Sequence, residues 1–334
     1  MKVVSQYIAT KFNAGPKAKL DIEKILKQEF QANIKTLKIK NEVNSKLRLF
    51  KVRLKKVLFL LKNLSKSDIL VIQAPFSKHP KMKLRAEKKI VLIHDIDGLR
   101  EKDKEKLLSE LAFFNTCDII VSHNKRMTQI LKENHIEKPI YEIELFDYLC
   151  DKKTKEILTK VKEKIPTICY AGNLEKSPFI QQLEEEKMNF EINLYGKGRK
   201  QNANNKLCYK GALPPDDLPN CLEGDLGLVW DGNYDESDEN EGFKNYTRYN
   251  NPHKFSCYLA ANIPVIVWGK AAIAEVVQKY NIGYTIHNLY DINQIDFSDY
   301  EEKKKNTIEL GKKVRSGYFT KKVMQEILQN TKGK

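Results

Sequence analysis

Residues 249–268 hold the longest run of residue types suited to binding a ligand, YNNPHKFSCYLAANIPVIVW. Asn250 or Asn251 can cap a helix that has Pro252 in its first turn. Lys254 falls in that first turn, where its charge opposes the helix dipole unless an anion is bound. We therefore expect a phosphate site at this helix start. Its candidate residues are Tyr249, Asn250, Asn251 and Lys254.

Two glycine-containing turns each follow a predicted strand in the same half of the chain, at YAGNLEKS (170–177) and LYGKGR (194–199). Backbone N–H groups exposed by glycine, next to basic side chains, suit a pyrophosphate group. Each turn alone is also compatible with an ordinary strand-to-helix connection, but a pair on consecutive strands favours the ligand. The candidate residues are Gly172, Asn173, Lys176, Gly196 and Lys197.

The segment IHDIDGLR (93–100) follows an apolar strand and precedes a predicted helix. His94, Asp95 and Asp97 are candidates for catalysis, because an imidazole or carboxylate at a strand end can take a proton from a hydroxyl group. Two alternatives remain open: the D-x-D string can hold a divalent metal ion, and Asp97 can cap the helix.

A similar turn, NAGPKA (13–18), follows the first predicted strand. Asn13, Gly15 and Lys17 there suit an anionic group, although an ordinary turn explains the pattern equally well. The spacing is not that of a Walker A loop or a dinucleotide fingerprint. The chain also lacks the G-x-S-x-G motif and the zinc-binding histidine spacings, which argues against those hydrolase classes.

Short apolar runs alternate with longer amphipathic stretches, a pattern typical of parallel sheets with crossover helices. We predict an α/β fold of two Rossmann-like, doubly wound domains facing a cleft, with residues 1–150 in the first and 165–300 in the second. A C-terminal helix, 301–330, is expected to pack back onto the first domain. The predicted strands are 3–9, 34–39, 69–73, 90–93, 118–121 and 140–143, then 167–170, 190–194, 207–209, 226–230, 264–268 and 283–286.

The chain has 334 residues and a net charge of +15, and 41% of its residues are hydrophobic. This composition excludes wholly disordered and collagen-like classes. Residues 1–100 carry 24 basic and 8 acidic side chains, whereas the rest of the chain is nearly neutral. The excess includes a predicted basic amphipathic helix at 45–64, which suits a solvated face, an anionic membrane surface or a nucleic acid.

No apolar run approaches the roughly 20 residues of a membrane span, and no signal sequence is evident, so we expect a cytoplasmic protein, with possible attachment at the inner membrane face. The six cysteines show no C-x-x-C pair and are expected to be reduced core thiols. An acidic stretch at 231–241 follows an apolar strand, and we interpret it as a lid over a ligand.

These segments together resemble a bacterial group of GT-B glycosyltransferases, the glucosyltransferase 3-like and β-1,6-galactofuranosyltransferase-like proteins. The similarity is carried by NAGPKAKLDIEKIL, DILVIQAP, LIHDIDGLR, YAGNLEKSPFI and, most specifically, YNNPHKFSCYLAANIPVIVW. It implies a donor nucleotide held by the second domain and an acceptor held by the first, with Lys254 and the Asn250/Asn251 cap at the diphosphate. It also implies that Asn13, Gly15, Lys17 and Arg100 lie on the acceptor side. No E-x7-E pair is evident, so the resemblance leaves retention or inversion at the sugar open.

The resemblance implies a glycosyltransferase that moves a glucosyl or galactofuranosyl unit from a UDP-sugar to a glycan, a lipid-linked oligosaccharide or a glycoprotein. We expect it to work without a metal cofactor, since fixed cations and helix N–H groups can stabilise the leaving diphosphate. Homo-oligomers are compatible with the sequence. Two alternatives remain: a non-catalytic sugar-nucleotide-binding subunit of the same fold, and a nucleic-acid binder that uses the basic helix.

Overall fold

A computed structural model of the chain describes residues 1–9, 15–40, 54, 58–59, 67–76, 86–151, 166–185, 189–198, 206–232 and 245–332. The chain forms two compact units. Unit 1 consists of Met1–Glu144 with Phe319–Lys334, and unit 2 of Leu145–Tyr318. Each unit is built on its own parallel β-sheet.

The sheet of unit 1 has the strand order β2-β1-β3-β4-β5-β6, and every neighbouring pair is parallel. Residues 90–93 of β4 are fully buried, as expected for a strand covered on both faces. The strands are β1 (Lys2–Ala9), β2 (Asn33–Lys40), β3 (Ser67–Ala74), β4 (Ala86–Ile93), β5 (Ile119–Ser122) and β6 (Ile140–Glu142).

The helices of unit 1 begin where the sequence provides a cap or a turn residue. Asp103 accepts a hydrogen bond from the backbone N–H of Lys106, and Asn124 accepts one from Met127, so both satisfy donors that a helix start leaves unpaired. The helices that precede unit 2 are α1 (Gly15–Phe30), α2 (Asp97–Arg100), α3 (Lys104–Asn115) and α4 (Lys125–Glu133).

The sheet of unit 2 has the order β12-β11-β10-β7-β8-β9 and is also parallel throughout. Its strands are β7 (Thr167–Ala171), β8 (Glu191–Tyr195), β9 (Leu207–Gly211), β10 (Leu226–Val229), β11 (Val265–Trp268) and β12 (Gly283–Ile286). Its helices are α5 (Phe179–Glu185), α6 (Leu218–Cys221), α7 (His253–Ala260), α8 (Ala274–Tyr280) and α9 (Tyr300–Arg315), with 3-10 turns at Leu174–Lys176 and Leu289–Gln294.

The last helix, α10 (Tyr318–Lys332), belongs to unit 1 from Phe319 onward. Lys321 lies 3.4 Å from Glu29, and Asn330 donates to the Tyr141 hydroxyl at 3.2 Å. The segment predicted as one helix over 301–330 is therefore two helices. They separate at Gly317, whose φ of 76° lies in the left-handed region that ends a helix.

The predicted α/β class with two parallel sheets of six strands is confirmed. The predicted basic helix 45–64 lies outside the described residues except for Leu54, Leu58 and Phe59, and so does the acidic stretch from 233 onward. All six cysteines are free, but only Cys117, Cys169 and Cys257 are buried, whereas Cys150 and Cys208 are half-buried and Cys221 is exposed. None of the described helices is long and apolar enough to cross a membrane.

Candidate functional site

The carboxyl ends of β8, β7 and β10 lie side by side in unit 2, because these parallel strands are neighbours in the sheet. Gly172 follows β7, Gly196 follows β8, and Asp231 comes two residues after β10. Ligands of open α/β sheets bind at this edge. The tertiary structure thus brings the two predicted glycine turns together with the first residue of the acidic stretch.

Backbone hydrogen bonds join the turn at 172–174 to the end of β8 and to the turn at 196–198. The N–H of Gly172 donates to Tyr195 at 3.0 Å, and the N–H of Leu174 donates to the carbonyl of Lys197 at 3.0 Å. Gly196 has a φ of 148°, and a Cβ atom there would lie 1.8 Å from the carbonyl oxygen of Gly172. Glycine is therefore required for this close approach.

Lys254, in the first turn of α7, directs its ammonium group at three oxygen atoms of unit 2. The Nζ atom lies 2.9 Å from Oδ1 of Asp231, 3.0 Å from the carbonyl of Trp230 and 3.3 Å from the hydroxyl of Tyr170. It also lies 4.7 Å from the centre of the Tyr170 ring. An ammonium group has three N–H donors, so these contacts occupy all of them.

The opposite charges of Lys254 and Asp231 stabilise each other. Burial by itself lowers the pKa of Lys254, but the charge of Asp231 and the hydrogen bonds to Asp231 and Tyr170 together act against burial, and the net pKa lies above its ordinary value. Burial raises the pKa of the Tyr170 hydroxyl, while the positive charge of Lys254 opposes that shift. At neutral pH the cluster consequently holds a cationic Lys254 and a neutral Tyr170. The anion that the sequence predicted at Lys254 is supplied here by the Asp231 carboxylate.

A short chain of hydrogen bonds connects Lys254 to the first glycine turn. The Tyr170 hydroxyl lies 2.8 Å from Oγ of Ser177, and Ser177 donates to the carbonyl of Asn173 at 2.9 Å. Sequence reasoning did not identify Tyr170, Ser177 or the pairing of Asp231. The one available signal was position, since Tyr170 ends an apolar run directly before a glycine turn.

The structure corrects the predicted helix cap at Asn250 or Asn251. Helix α7 begins at His253 with Pro252 as the N-cap residue, and no side chain caps it. The two asparagines come too early, because capping requires a side chain in the position just before the helix. Asn251 is buried, and the buried Oδ1 atom of Asn250 has no hydrogen-bond partner within the described part of the chain.

The other predicted nucleotide-site residues lie around this edge. Lys176 and Lys197 are exposed, and the Asn173 side chain accepts a hydrogen bond from the N–H of Glu175. Tyr249 is half-buried, in the turn that precedes Pro252. Their predicted contacts with a nucleotide sugar stay predictions.

In unit 1, the HDID segment follows β4 as predicted. Nε2 of His94 lies 2.8 Å from Oε1 of Gln73. Asp95 and Asp97 both pair with Arg100, Asp95 at 3.2 Å. Within the residues that the structure describes, no group of three or more His, Cys, Asp and Glu side chains is arranged to hold a metal ion.

Helix α2 is not capped by the side chain of the residue before it, and the predicted capping by Asp97 is not observed. Instead, the Glu110 carboxylate accepts hydrogen bonds from the N–H groups of Asp97 and Gly98, at 3.0 and 2.8 Å. A cavity of about 320 Å³ lies beside these residues. Its lining combines aromatic rings with charged groups, and includes Phe76, Phe113, Phe114, Asp97, Lys106 and Glu110.

The N-terminal turn is described only from Gly15, the first residue of α1, so Asn13 lies outside the described residues. Lys17 is 6% exposed and forms an ion pair of 2.7 Å with Asp21. Its ammonium group is therefore already neutralised inside the unit. The predicted role of Lys17 and Gly15 toward a second substrate stays a prediction.

Two family models match the chain along most of its length. The model described as glucosyltransferase 3-like, N-terminal domain, matches residues 1–145, and the corresponding C-terminal domain model matches residues 168–327. β-1,6-Galactofuranosyltransferase WbbI of Escherichia coli (strain K12) is 30% identical over 284 residues, covering 80% of this chain and 82% of that protein. Glucosyltransferase 3 of Streptococcus gordonii is 26% identical over 251 residues, covering 73% and 72%.

Solved structures share the fold at much lower identity. HepE from Anabaena, in complex with UDP and glucose, has a TM-score of 0.61 at 10% identity, covering 100% of both chains. Sucrose-phosphate synthase from Thermosynechococcus elongatus has a TM-score of 0.62 at 10% identity with the same coverage. The family models, the sequence relatives and the two six-stranded parallel sheets agree: the chain belongs to the glucosyltransferase 3-like family of glycosyltransferases and has the GT-B fold.

Proposed function

We propose that this chain transfers a hexosyl unit, glucosyl or galactofuranosyl, from a UDP-sugar to a glycan, a lipid-linked oligosaccharide or a glycoprotein. Its relatives carry the names of a galactofuranosyltransferase and a glucosyltransferase. One structural neighbour, HepE, was solved with UDP-glucose. The structural observation that carries the proposal is the position of the Lys254 cation at the same sheet edge as the paired glycine turns.

The Lys254 cluster suits a leaving diphosphate. Transfer places negative charge on the diphosphate oxygens, and a fixed cation in a partly buried site stabilises that charge better than water does. Lys254 has a side chain only 15% exposed and is already paired with an anion, Asp231. A phosphate oxygen that replaces the Asp231 carboxylate exchanges one anionic partner for another, so the buried cation is never left uncompensated.

The donor site is proposed to work without a metal ion. Lys254, together with the exposed ammonium groups of Lys176 and Lys197, supplies positive charge beside the glycine turns. The backbone N–H groups of Gly172, Leu174 and Gly196 already donate within unit 2, so these lysines supply the positive charge for the phosphate oxygens. Transfer and UDP binding in EDTA should therefore equal those in magnesium, and an activity that EDTA abolishes would contradict this part.

The acceptor is proposed to bind unit 1, where His94, Asp95, Asp97 and Arg100 lie at the carboxyl end of β4. The cavity beside Asp97 combines phenylalanine rings with carboxylates. Such a lining suits a saccharide, whose C–H faces pack on aromatic rings and whose hydroxyl groups donate to carboxylates.

The test is thermal unfolding of the wild type and of Lys254→Met with UDP, UDP-glucose, UDP-galactose, UDP-galactofuranose and NAD. A ligand at about 100 times its Kd stabilises the folded state by about 2.7 kcal/mol, which raises the midpoint measurably. We expect stabilisation by the UDP compounds but not by NAD, and its loss in Lys254→Met. Lys279→Met is the matched control, since Lys279 is exposed on α8 and also lies over a tyrosine ring.

The same samples then receive an acceptor panel, and release of UDP is followed. UDP binding with transfer supports the whole proposal. If UDP compounds bind but no acceptor causes release of UDP, the chain is instead a sugar-nucleotide-binding subunit. A wild type that no UDP compound stabilises overturns the donor site.

A further inference from the structure

His94 is held by β3 through both its backbone and its ring. Its N–H donates to the carbonyl of Ala74 at 2.9 Å, and its Nε2 atom lies 2.8 Å from Oε1 of Gln73. Gln73 is fully buried, whereas His94 is half-exposed at the end of β4. The buried Gln73 amide therefore holds the Nε2 atom of the half-exposed His94 ring.

The orientation of the Gln73 amide is decided by its second contact. Its Nε2 atom lies 3.2 Å from the backbone carbonyl of Lys19, and a carbonyl only accepts hydrogen bonds. The amide NH2 group must consequently face Lys19, which turns the Oε1 atom toward His94. Because Oε1 also only accepts, the Nε2 atom of His94 must carry a proton. In the neutral ring, Nδ1 is then the nitrogen with the lone pair.

Lys19 also fixes the backbone around Gln73. Its ammonium group donates to the carbonyls of Gln6 at 3.1 Å, Gln73 at 3.4 Å and Pro75 at 3.0 Å. Its side chain thus joins α1 to β1 and to the end of β3, while its own carbonyl orients the Gln73 amide. One helix residue constrains both the position and the direction of the glutamine.

We infer that Gln73 is a positioning residue that holds His94 with the proton on Nε2, so that Nδ1 accepts the proton of the acceptor hydroxyl during transfer. This inference rests on the proposed function. As the acceptor oxygen bonds to the anomeric carbon, its proton moves to Nδ1. The bond from that carbon to the diphosphate breaks, and its electron pair leaves on UDP. The hydrogen bond to Gln73 persists throughout, because Nε2 carries a proton in both the neutral and the charged ring.

The neighbouring carboxylates serve this step less well than His94. Asp95 is ion-paired with Arg100, and Asp97 is paired with both Arg100 and Lys106. Taking up a proton would cost either carboxylate its ion pair with Arg100. His94 gains a proton without breaking any of these ion pairs.

Charged and titratable groups from several neighbouring elements lie around His94. Burial lowers the pKa of Lys19 to about 8, and Asp95 and Asp97 act against that shift. Burial lowers the pKa of His123, which follows β5, to about 3, so this ring is neutral at physiological pH. Among the residues that the structure describes, these groups include Lys19 from α1, Asp95 and Asp97 after β4, Arg100 from α2, and His123 after β5.

The first test is nitrogen-15 NMR of the protein labelled at histidine, with the His94 signals assigned by their loss in His94→Gln. Two-bond and three-bond proton–nitrogen couplings identify which ring nitrogen carries the proton. We expect the Nε2-protonated form above the pKa of His94. A neutral ring protonated on Nδ1 overturns the inference, whatever the activity of the protein.

The second test compares steady-state transfer by Gln73→Leu and Gln73→Glu, after thermal unfolding shows that both variants fold. Gln73→Leu should lower kcat at least tenfold and leave the KM of the donor within twofold. Gln73→Glu places a carboxylate on Nε2, which favours the charged ring and should move the acid limb of kcat at least one pH unit upward. Asn193→Leu, which removes a buried amide from unit 2, is the control. It should neither lower kcat nor move the acid limb.

The outcomes separate the two proposals. A wild-type kcat in Gln73→Leu, or an unmoved acid limb in a folded Gln73→Glu, overturns the inference. If His94→Gln transfers sugar at the wild-type rate, the proposed function stands and the inference falls. If the wild type transfers sugar from no UDP donor, the proposed function falls, and the proton-uptake step of the inference falls with it.

Discussion

The Asp231 carboxylate lies 2.9 Å from the Lys254 ammonium group, where the sequence pattern predicted a bound phosphate. The two residues are 23 positions apart and come from the end of β10 and the start of α7. Asp231 thus acts as an internal anion for a cation that the proposed donor also needs. The Asp231 carboxylate and the diphosphate of the donor would compete for one ammonium group. The strength of donor binding therefore depends on Asp231.

Replacement of Asp231 by asparagine should strengthen UDP binding and weaken the fold. The variant removes the competing charge from Lys254, so we expect the Kd of UDP to fall about threefold to tenfold, which corresponds to about 0.6–1.4 kcal/mol. Loss of a charged hydrogen bond should lower the free energy of unfolding by about 1–3 kcal/mol. Titration calorimetry with UDP and urea unfolding measure the two effects. Weaker UDP binding in Asp231→Asn would show that Asp231 assists the ligand instead of competing with it.

Gly196→Ala should be far more damaging than Gly211→Ala, although both glycines have positive φ angles. A Cβ at Gly196 meets the carbonyl of Gly172 at 1.8 Å, whereas a Cβ at Gly211 meets nothing within 4 Å. Backbone strain alone costs about 1–3 kcal/mol at either position, and only Gly196→Ala adds a steric overlap. Urea unfolding should show the larger loss for Gly196→Ala, with weaker UDP binding. Equal losses in the free energy of unfolding would mean that the turns at Gly172 and Gly196 separate easily.

His123 should make the protein less stable in acid. Its pKa is lowered to about 3 by burial in the folded state, compared with about 6.5 in the unfolded chain. Between these values the unfolded state binds the additional proton, so stability falls as pH decreases from about 6.5 toward 3, by at most about 1.4 kcal/mol per pH unit. Urea unfolding at several pH values should show a shallower decline in His123→Gln. An unchanged slope would show that other groups dominate.

Phe113→Ala should weaken saccharide binding to the cavity in unit 1. Phe113 lines the cavity and is half-buried, whereas Leu108 lies on the same helix and is 67% exposed. Saturation-transfer NMR with the methyl glycosides of glucose, galactose and N-acetylglucosamine should show transfer to the wild type and to Leu108→Ala. The signal should be lost in Phe113→Ala while UDP binding persists. No signal from the wild type with any of the three would contradict the saccharide site.

The sequence leaves three interpretations of the basic segment 45–64 open, a solvated face, an anionic membrane surface and a nucleic acid, and vesicle flotation tests the membrane interpretation. We expect flotation with phosphatidylglycerol vesicles at low salt, release at high salt, and loss of binding when Lys51, Arg53, Lys55 and Lys56 are changed to glutamine. Neutral phosphatidylcholine vesicles are the control. Salt-dependent binding to DNA or RNA without flotation would favour the nucleic-acid alternative.

The periodicity of apolar residues was enough to predict both parallel sheets. Runs such as the one ending at Ile93 are continuous and apolar because both faces of a parallel sheet are covered. Helix starts were less predictable: Pro252, rather than either preceding asparagine, is the N-cap residue of α7. The local pattern marks a helix start only to within a few positions, since several residues can cap.

The sequence singled out the glycines and Lys254 of the candidate site, but not the residues that contact Lys254. Gly172 and Gly196 are identifiable because a turn after a strand leaves few other residue types possible. Tyr170 and Asp231 are not, because an aromatic residue in an apolar run and an acid in an acidic stretch have no distinctive local pattern. They become partners of Lys254 only through the order β10-β7-β8.

The sequence by itself determined the two α/β halves, the glycine turns and Lys254 in the second half, and the position of His94 after a predicted strand of the first half. Only the tertiary structure decided that Asp231 neutralises Lys254, and that Gln73 and Lys19 set the proton on His94. Residue periodicity reports which side of an element is buried. Polar contacts between elements far apart in the chain depend on sheet order and register, which no local pattern encodes.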